Sequence, residues 1–318
     1  MLLAQPADAW ADQRNPSTYV ANLFSNTVSV IDTRTNTIRA TIPVGTGPQG
    51  VAVAPNGTRA YVVNRFSNTV STIDTRTNTV IATIQVGSNP QGVAVSPNGT
   101  HAYVTNSFSN TLSVIDTRTN TVRATISVGL IPAAVAVAPD GTHAYVTNLN
   151  SNTLSVIDTR TNTIRATITV GSAPFAVAVA PNGTRAYVTN LNSNTVTVID
   201  TRSNAVSATV TVGAVPFAVA VTPDGTRAYV ANSFSDTVSV IDTRATTVRT
   251  TVPVGAGPRG VAVDPHKSRI YVTNSASDDV SVIDSVTHTV ARTVPVGDSP
   301  IGIAIEQKRN PGHEHKPR

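Results

Sequence analysis

Cysteine is absent from all 318 residues, which excludes disulfides and thiol chemistry and leaves the compartment open. Aromatic residues make up only 4% of the chain, with a single tryptophan, Trp10, so the core must be built from Val, Ile and Ala. Charge is sparse at 13%, and the two glutamates, Glu306 and Glu314, lie in or beside the C-terminal tail. General acid–base chemistry therefore has little carboxylate to draw on outside the aspartates. No apolar run approaches the ~20 residues of a transmembrane helix. No long apolar stripe of helical period exists either, so no glycine-rich phosphate loop can lead into a helix.

What the chain does contain is a ruler. Its seven tyrosines are Tyr19, Tyr61, Tyr103, Tyr145, Tyr187, Tyr229 and Tyr271, each 42 residues after the last. A fixed period of 20–50 residues over a whole chain dictates architecture before any local reading begins. In the unit starting at Tyr103, four apolar runs lie between turn signals, at 102–106, 112–115, 122–128 and 133–138. Each has the length of a strand and is rich in Val, Ile, Thr or Tyr.

The turns recur in phase. Pro-Asn-Gly or Pro-Asp-Gly begins at Pro55, Pro97, Pro139, Pro181 and Pro223, supplying the positive φ that tight hairpins need. Asp-Thr-Arg begins at Asp32, Asp74, Asp116, Asp158, Asp200 and Asp242. A Val-Gly pair recurs from Gly45 to Gly297, with a proline three residues on that marks a connection between strands. Four antiparallel strands per ~40-residue unit make a propeller blade, and seven units predict an all-β, seven-bladed β-propeller. The chain enters at a second strand and ends with a lone first strand, Ile301 to Ile305. Joined, the two ends complete one blade, and closing the ring this way is expected to remove free sheet edges.

The YVTN or YVAN motif, the SVIDTRTN run and the VAVAPNGT run resemble the YVTN β-propeller repeat family, of surface-layer type, over residues 17 to 305. The resemblance is specific for fold and carries little about activity. It implies a secreted, periplasmic or cell-surface protein. WD40 propellers have a similar period, but their Gly-His and Trp-Asp signatures are missing.

Three segments are expected: a leader or remnant signal segment at 1–16, the propeller at 17–305, and a basic disordered tail at 306–318. Ala7-Asp8-Ala9 is similar to a small-x-small cleavage site, preceded by too short an apolar stretch. Two readings stay open, a signal peptide that starts upstream of Met1 and a disordered leader. His313-Glu314-His315 in the tail lacks the folded geometry of a metal site, so no metal and no cofactor is assigned. A monomer without a membrane span is expected.

Alternate loops of a propeller project from opposite faces. The Pro-Asn-Gly and Asp-Thr-Arg turns share one face, and the Gly-x-x-Pro connections and the loops after YVTN share the other. The turn face carries Arg34, Arg76, Arg118, Arg160, Arg202 and Arg244, with Arg59, His101, His143, Arg185, Arg227 and Arg269 nearby. One reading makes this a basic ring for nucleic acid or another polyanion. Each turn arginine follows an aspartate by two residues, however, and no aromatic residues interleave to stack bases.

The connection face is less repetitive and so more informative. The residue after each proline is Gln49, Gln91, Ala133, Phe175, Phe217, Arg259 or Ile301. These positions open the innermost strands and are expected to ring the mouth of the central channel. An apolar wall with a few polar groups is the usual form of a ligand site. Gln49, Gln91, Phe175, Phe217 and Arg259 are therefore candidate ligand-binding residues, and Arg65 adds an anion contact on the same face. Phe24, Phe66, Phe108 and Phe234 stand in loops where two other repeats have Asn150 and Asn192. Those two repeats precede Phe175 and Phe217, as if a phenylalanine filled one gap from either side. No Ser/His/acid set can be assembled on this face, so no catalytic residue is assigned. The expected function is non-catalytic recognition of a protein, glycan or small ligand at the cell envelope. Polyanion binding and a propeller enzyme of lyase, lactonase or dehydrogenase type are the alternatives.

Overall fold

The computed structural model describes residues 16–265 and 268–306. Strand β1 is Ser17–Asn22, β2 is Thr27–Asp32 and β3 is Thr37–Pro43. Then come β4 (Pro48–Val53), β5 (Arg59–Asn64), β6 (Thr69–Asp74) and β7 (Thr79–Gln85), and the pattern repeats every 42 residues to β28 (Pro300–Ile305). The 28 strands form seven four-stranded sheets, and no helix occurs among the described residues. The observed strands begin one residue earlier than the apolar runs suggest, because polar residues such as Thr111 and His101 join the ladders. Blade 1 has the strand order β28-β1-β2-β3, and blade 2 is β4 to β7 in order. The ends of the propeller thus meet in one antiparallel blade, with Thr18 opposite Ile305 and Tyr19 opposite Ala304.

Closure does not remove every free edge. The outermost strand of each sheet, β3 in blade 1 and β7 in blade 2, pairs on one side only. Those edges are managed by composition. β3 reads TIRATIP with a mostly exposed surface, so threonine and arginine face water where another chain could otherwise add.

Burial follows strand position. The YVTN strand is buried along its last five residues and the next strand along its middle four. Both faces of these strands meet neighbouring blades, which is why they read as continuous Val, Ile and Tyr rather than as alternation. The core consequently lies between blades. Tyr19, Val28, Val30 and Ile42 of blade 1 cluster with Val51, Ala60, Val62 and Ile73 of blade 2.

Two repeated motifs explain each other. Asn64 is fully buried, and its Nδ2 donates to Thr69 Oγ1 at 3.1 Å and Ser71 Oγ at 2.9 Å. A Cβ built on Gly45 would lie 2.7 Å from the side chain of that asparagine. The Val-Gly glycine is therefore required by the Asn of YVTN, and the same clash recurs at Gly87, Gly129, Gly171, Gly213, Gly255 and Gly297.

Candidate ligand site at the channel mouth

The two faces hold the ring together differently. On the turn face the side chains do the holding. Asp32 accepts the backbone N–H of Arg34 at 2.8 Å and of Thr35 at 3.0 Å. Such bonds, from Thr77, Thr119, Thr161 and Ser203 first, hold the carboxyls of Asp74, Asp116, Asp158 and Asp200 below the usual carboxylate range. Arginines at the start of the YVTN strand reach across to the next blade. Arg185 Nη1 donates to the Thr243 carbonyl at 2.6 Å, Arg227 to Ser285 at 2.8 Å and Arg269 to Thr33 at 2.8 Å, and Arg59 donates to Thr117 in the same manner. Tyr271 Oη donates to Asn36 Oδ1 at 2.9 Å across the closing interface, and burial pushes its phenol up to about 12. Four of the arginines read from the sequence as a basic ring are thus inter-blade ties. The six Asp-Thr-Arg arginines remain exposed.

On the connection face a strained backbone is held by loop side chains and backbone bonds. The residue before each proline is left-handed: Gly47, Asn89, Ile131, Ala173, Val215, Gly257 and Ser299 all have φ between 50° and 68°. For β-branched Ile131 and Val215 this is strained. Two hydrogen bonds fix it. Ile131 N–H donates to Asn110 Oδ1 at 2.9 Å, and the Ile131 carbonyl accepts from Leu149 N–H at 3.0 Å. Val215 is held likewise by Asn194 Oδ1 at 3.0 Å and Ser233 N–H at 2.9 Å. Strain of this kind persists only where the surroundings over-determine it.

One residue beyond each proline lies the variable ring. Phe175 and Phe217 stack with ring centres 4.0 Å apart and planes tilted by 42°. The Arg259 guanidinium carbon sits 4.4 Å from the centre of the Phe217 ring. Three of the candidate residues are therefore one continuous stack across three successive blades. Burial lowers the Arg259 pKa from its ordinary value, and the group stays a cation at physiological pH. Gln49 is 8% exposed. Its Oε1, the Gln91 Oε1 and the Arg259 Nε are buried with no hydrogen-bond partner among the described residues. Ala133 and Ile301 are buried and complete the ring.

Two expectations change. Arg65 keeps to this face, but its Nε donates to Asn89 Oδ1 at 3.0 Å and its guanidinium carbon lies 5.6 Å from the Phe66 ring centre. It ties one loop to the next and is not joined to the ring at the mouth. Phe24, Phe66, Phe108 and Phe234 do not fill a packing gap: they are 67%, 54%, 69% and 79% exposed. Phe66 lies on Gly47, whose Cβ would come 2.4 Å from its ring, and most of the ring still faces solvent.

The sequence reading missed the threonine of YVTN. Thr147 Oγ1 accepts Ala134 N–H at 3.0 Å and donates to the Phe175 carbonyl at 2.8 Å. Thr105 and Thr273 join Gly92 and Gly260 to the carbonyls of Ala133 and Ile301 in the same way. These threonines set the backbone beneath the ring. The signal was present in the replacement of that threonine by Ala21, Val63 and Ala231, since a free choice at a buried position means a bond that only some blades make.

The ring has no carboxylate, imidazole or hydroxyl among its seven side chains. Asp236 and Asp278, on the same face, accept the N–H of Gly257 and Ser299 at 2.8 and 2.7 Å. His101 and His143 lie with Thr100 and Thr142 on the turn face, and His266 falls outside the described residues, as do Trp10 and the tail histidines. No group of three or more His, Asp or Glu that could hold a metal occurs among the described residues. Among the described residues no helix is long and apolar enough to cross a membrane.

The family model "Lactonase, 7-bladed beta-propeller" matches residues 78–216 and 168–294, which together span more than half of the chain. The chain belongs to this seven-bladed lactonase-type propeller family. A second model, of YNCE-like β-propellers, matches residues 4–100. No curated protein matches the chain. Among solved structures, a Kuenenia stuttgartiensis hydrazine synthase chain superposes with TM-score 0.75 at 23% identity, covering 82% of this chain and 91% of that one. A functionally unknown protein from Desulfotomaculum acetoxidans DSM 771 gives 0.82 at 19%, covering 93% and 100%. A candidate 6-phosphogluconolactonase from Bacteroides uniformis ATCC 8492 gives 0.77 at 16%, covering 92% and 99%. At these identities the likeness is one of fold, and family membership leaves the activity of this chain to its own residues.

Proposed function

We propose that this propeller is a recognition module that takes its ligand at the mouth of the channel on the connection face, outside the cytoplasm. The observation that carries the reading is the ring itself. Gln49, Gln91 and Arg259 bury polar atoms without partners beside the Phe175–Phe217 stack, and a native fold rarely leaves such groups unmet. The exposed phenylalanines of the same face supply a wider contact surface for a protein or glycan. The resemblance to YVTN repeats supports placement at the cell envelope. Native mass spectrometry of the protein from its own host tests this. Mass retained by the wild type and lost in Phe217→Ala supports the reading, and a bare chain in both overturns it.

The family match favours a second reading, hydrolysis of a lactone. It asks for a general base at the mouth, and the ring provides none. Turnover of 6-phosphogluconolactone or δ-gluconolactone well above the spontaneous rate, lost in Arg259→Gln, would establish it in place of pure binding.

A further inference from the structure

The unmet groups at the mouth have a chemistry of their own. Arg259 offers an N–H donor on a cation, and no ion pair engages that cation among the described residues. Gln49 and Gln91 each offer a buried carbonyl acceptor. Round the ring, Ile301 stands between Arg259 and Gln49, and Ala133 stands between Gln91 and Phe175. One arc is therefore amide, the other is aromatic, and the cation marks where the aromatic arc ends.

Different occupants meet these demands unequally. Water can bond to the three atoms but leaves the guanidinium charge unbalanced in a partly desolvated place. A simple inorganic anion balances Arg259 and makes no use of the aromatic arc. An uncharged apolar molecule covers the phenylalanines and leaves all three polar atoms unmet. One kind of molecule satisfies every group: a carboxylate for Arg259, its own N–H or O–H donors for the two glutamine carbonyls, and an apolar body for the Phe175–Phe217 stack.

We propose that the mouth binds a small organic carboxylate of this kind, an amino or hydroxy acid with an aromatic or branched side chain. Arg259 holds the carboxylate, Gln49 and Gln91 accept from the amino or hydroxyl group, and Phe175 and Phe217 hold the side chain. This inference rests on the mouth being the ligand site.

The test is calorimetric titration of the full chain with L-phenylalanine, phenyllactate, benzoate and inorganic phosphate. The expected result is binding of phenyllactate or phenylalanine in preference to benzoate and phosphate. Arg259→Gln should weaken it by roughly tenfold or more, the loss of one charge-assisted contact. That variant gives blade 7 the residue its sister blades carry as Gln49 and Gln91, so its fold is expected to hold, as a thermal melt would verify. Gln49→Leu should weaken phenyllactate several-fold and leave benzoate unchanged. Phosphate binding as well as phenyllactate would overturn the proposal. So would failure of every carboxylate to bind while native mass spectrometry retains an uncharged ligand, which would leave the mouth as the site and remove only the ligand class. Binding unchanged in both Arg259→Gln and Phe217→Ala would remove the site as well.

Discussion

The two faces of this ring are made from the same repeat, yet they spend their side chains in opposite ways. On the turn face, side chains tie blade to blade: Arg227 to the Ser285 carbonyl, Tyr271 to Asn36, Arg269 Nη1 to the Thr33 carbonyl at 2.8 Å. On the connection face the ties are backbone bonds, one loop asparagine or aspartate per blade and, in some blades, the threonine of YVTN, as at Gly47, where Asn26 Oδ1 accepts the N–H at 2.9 Å and Arg65 N–H donates to the carbonyl at 2.8 Å. None of these ties uses the side chain one residue beyond the proline. The connection face is therefore the one free to vary from blade to blade, and a site can be written there without loosening the ring.

This contrast can be broken from the turn face. Tyr271 is fully buried between the first and last blades, and Tyr271→Ala should cost about 3–5 kcal/mol, as truncation of a large core side chain does. A urea melt reads the loss. A cost near 1 kcal/mol would mean that the closing interface carries little of the stability.

Next in size is a glycine of the connection face. A Cβ on Gly171 would lie 2.5 Å from Asn190 Cγ, and that asparagine is pinned by bonds to Thr195 and Thr197. Gly171→Ala should cost about 1–3 kcal/mol through overpacking. Phe175→Gln, a few residues away, should change stability far less. The pair separates what holds this face from what is free on it.

The turn face also carries a titration. His288 stands where other repeats have Asn36 or Asn78, and its Nε2 lies 3.3 Å from Arg227 Nη1. Burial lowers its pKa first, and Arg227 and Arg249 lower it further against the opposing pull of Asp284. The folded state therefore binds this proton less readily than the unfolded chain. Its contribution is present above the ordinary histidine range and is lost as pH falls through the lowered folded value. Thermal midpoints should drop on acidification below about pH 6.5, the unfolded histidine value. His288→Asn should flatten that part of the profile, and an unchanged profile would exclude His288 as its source.

A smaller gain is expected at the strained rim. Asn89 holds the same left-handed position as Val215 and suits it far better. Val215→Asn should stabilise by about 1 kcal/mol or less. The smallest effect is at the exposed phenylalanines: Phe108→Ser should stay within about 0.5 kcal/mol in a melt while weakening any large partner at this face. A marked loss of stability would return these rings to the packing role that the sequence suggested.

The 42-residue period made the architecture legible, down to closure by the two ends of the chain. The asparagine turns and the prolines opening inner strands were equally visible, because each depends on local backbone preference. What stayed hidden depends on reach between repeats. Arg185 and Thr243 are 58 residues apart and touch only because adjacent blades pack. The same is true of the Phe175–Phe217–Arg259 stack, whose members were legible singly while their contact was not. The left-handed rim could have been read: Gly47, Asn89 and Gly257 suit such a backbone, but Ile131 and Val215 at the same position conceal the rule.

Blade 1 takes three strands from one end of the propeller and one from the other, with Ser17 and Glu306 joined by a 2.8 Å backbone bond. The unit of inheritance and the unit of structure are thereby out of step by one strand. A gene that gained or lost one 42-residue copy would still end in a lone strand seeking the same opening, so blade number could change by unequal recombination without any seam having to be redesigned.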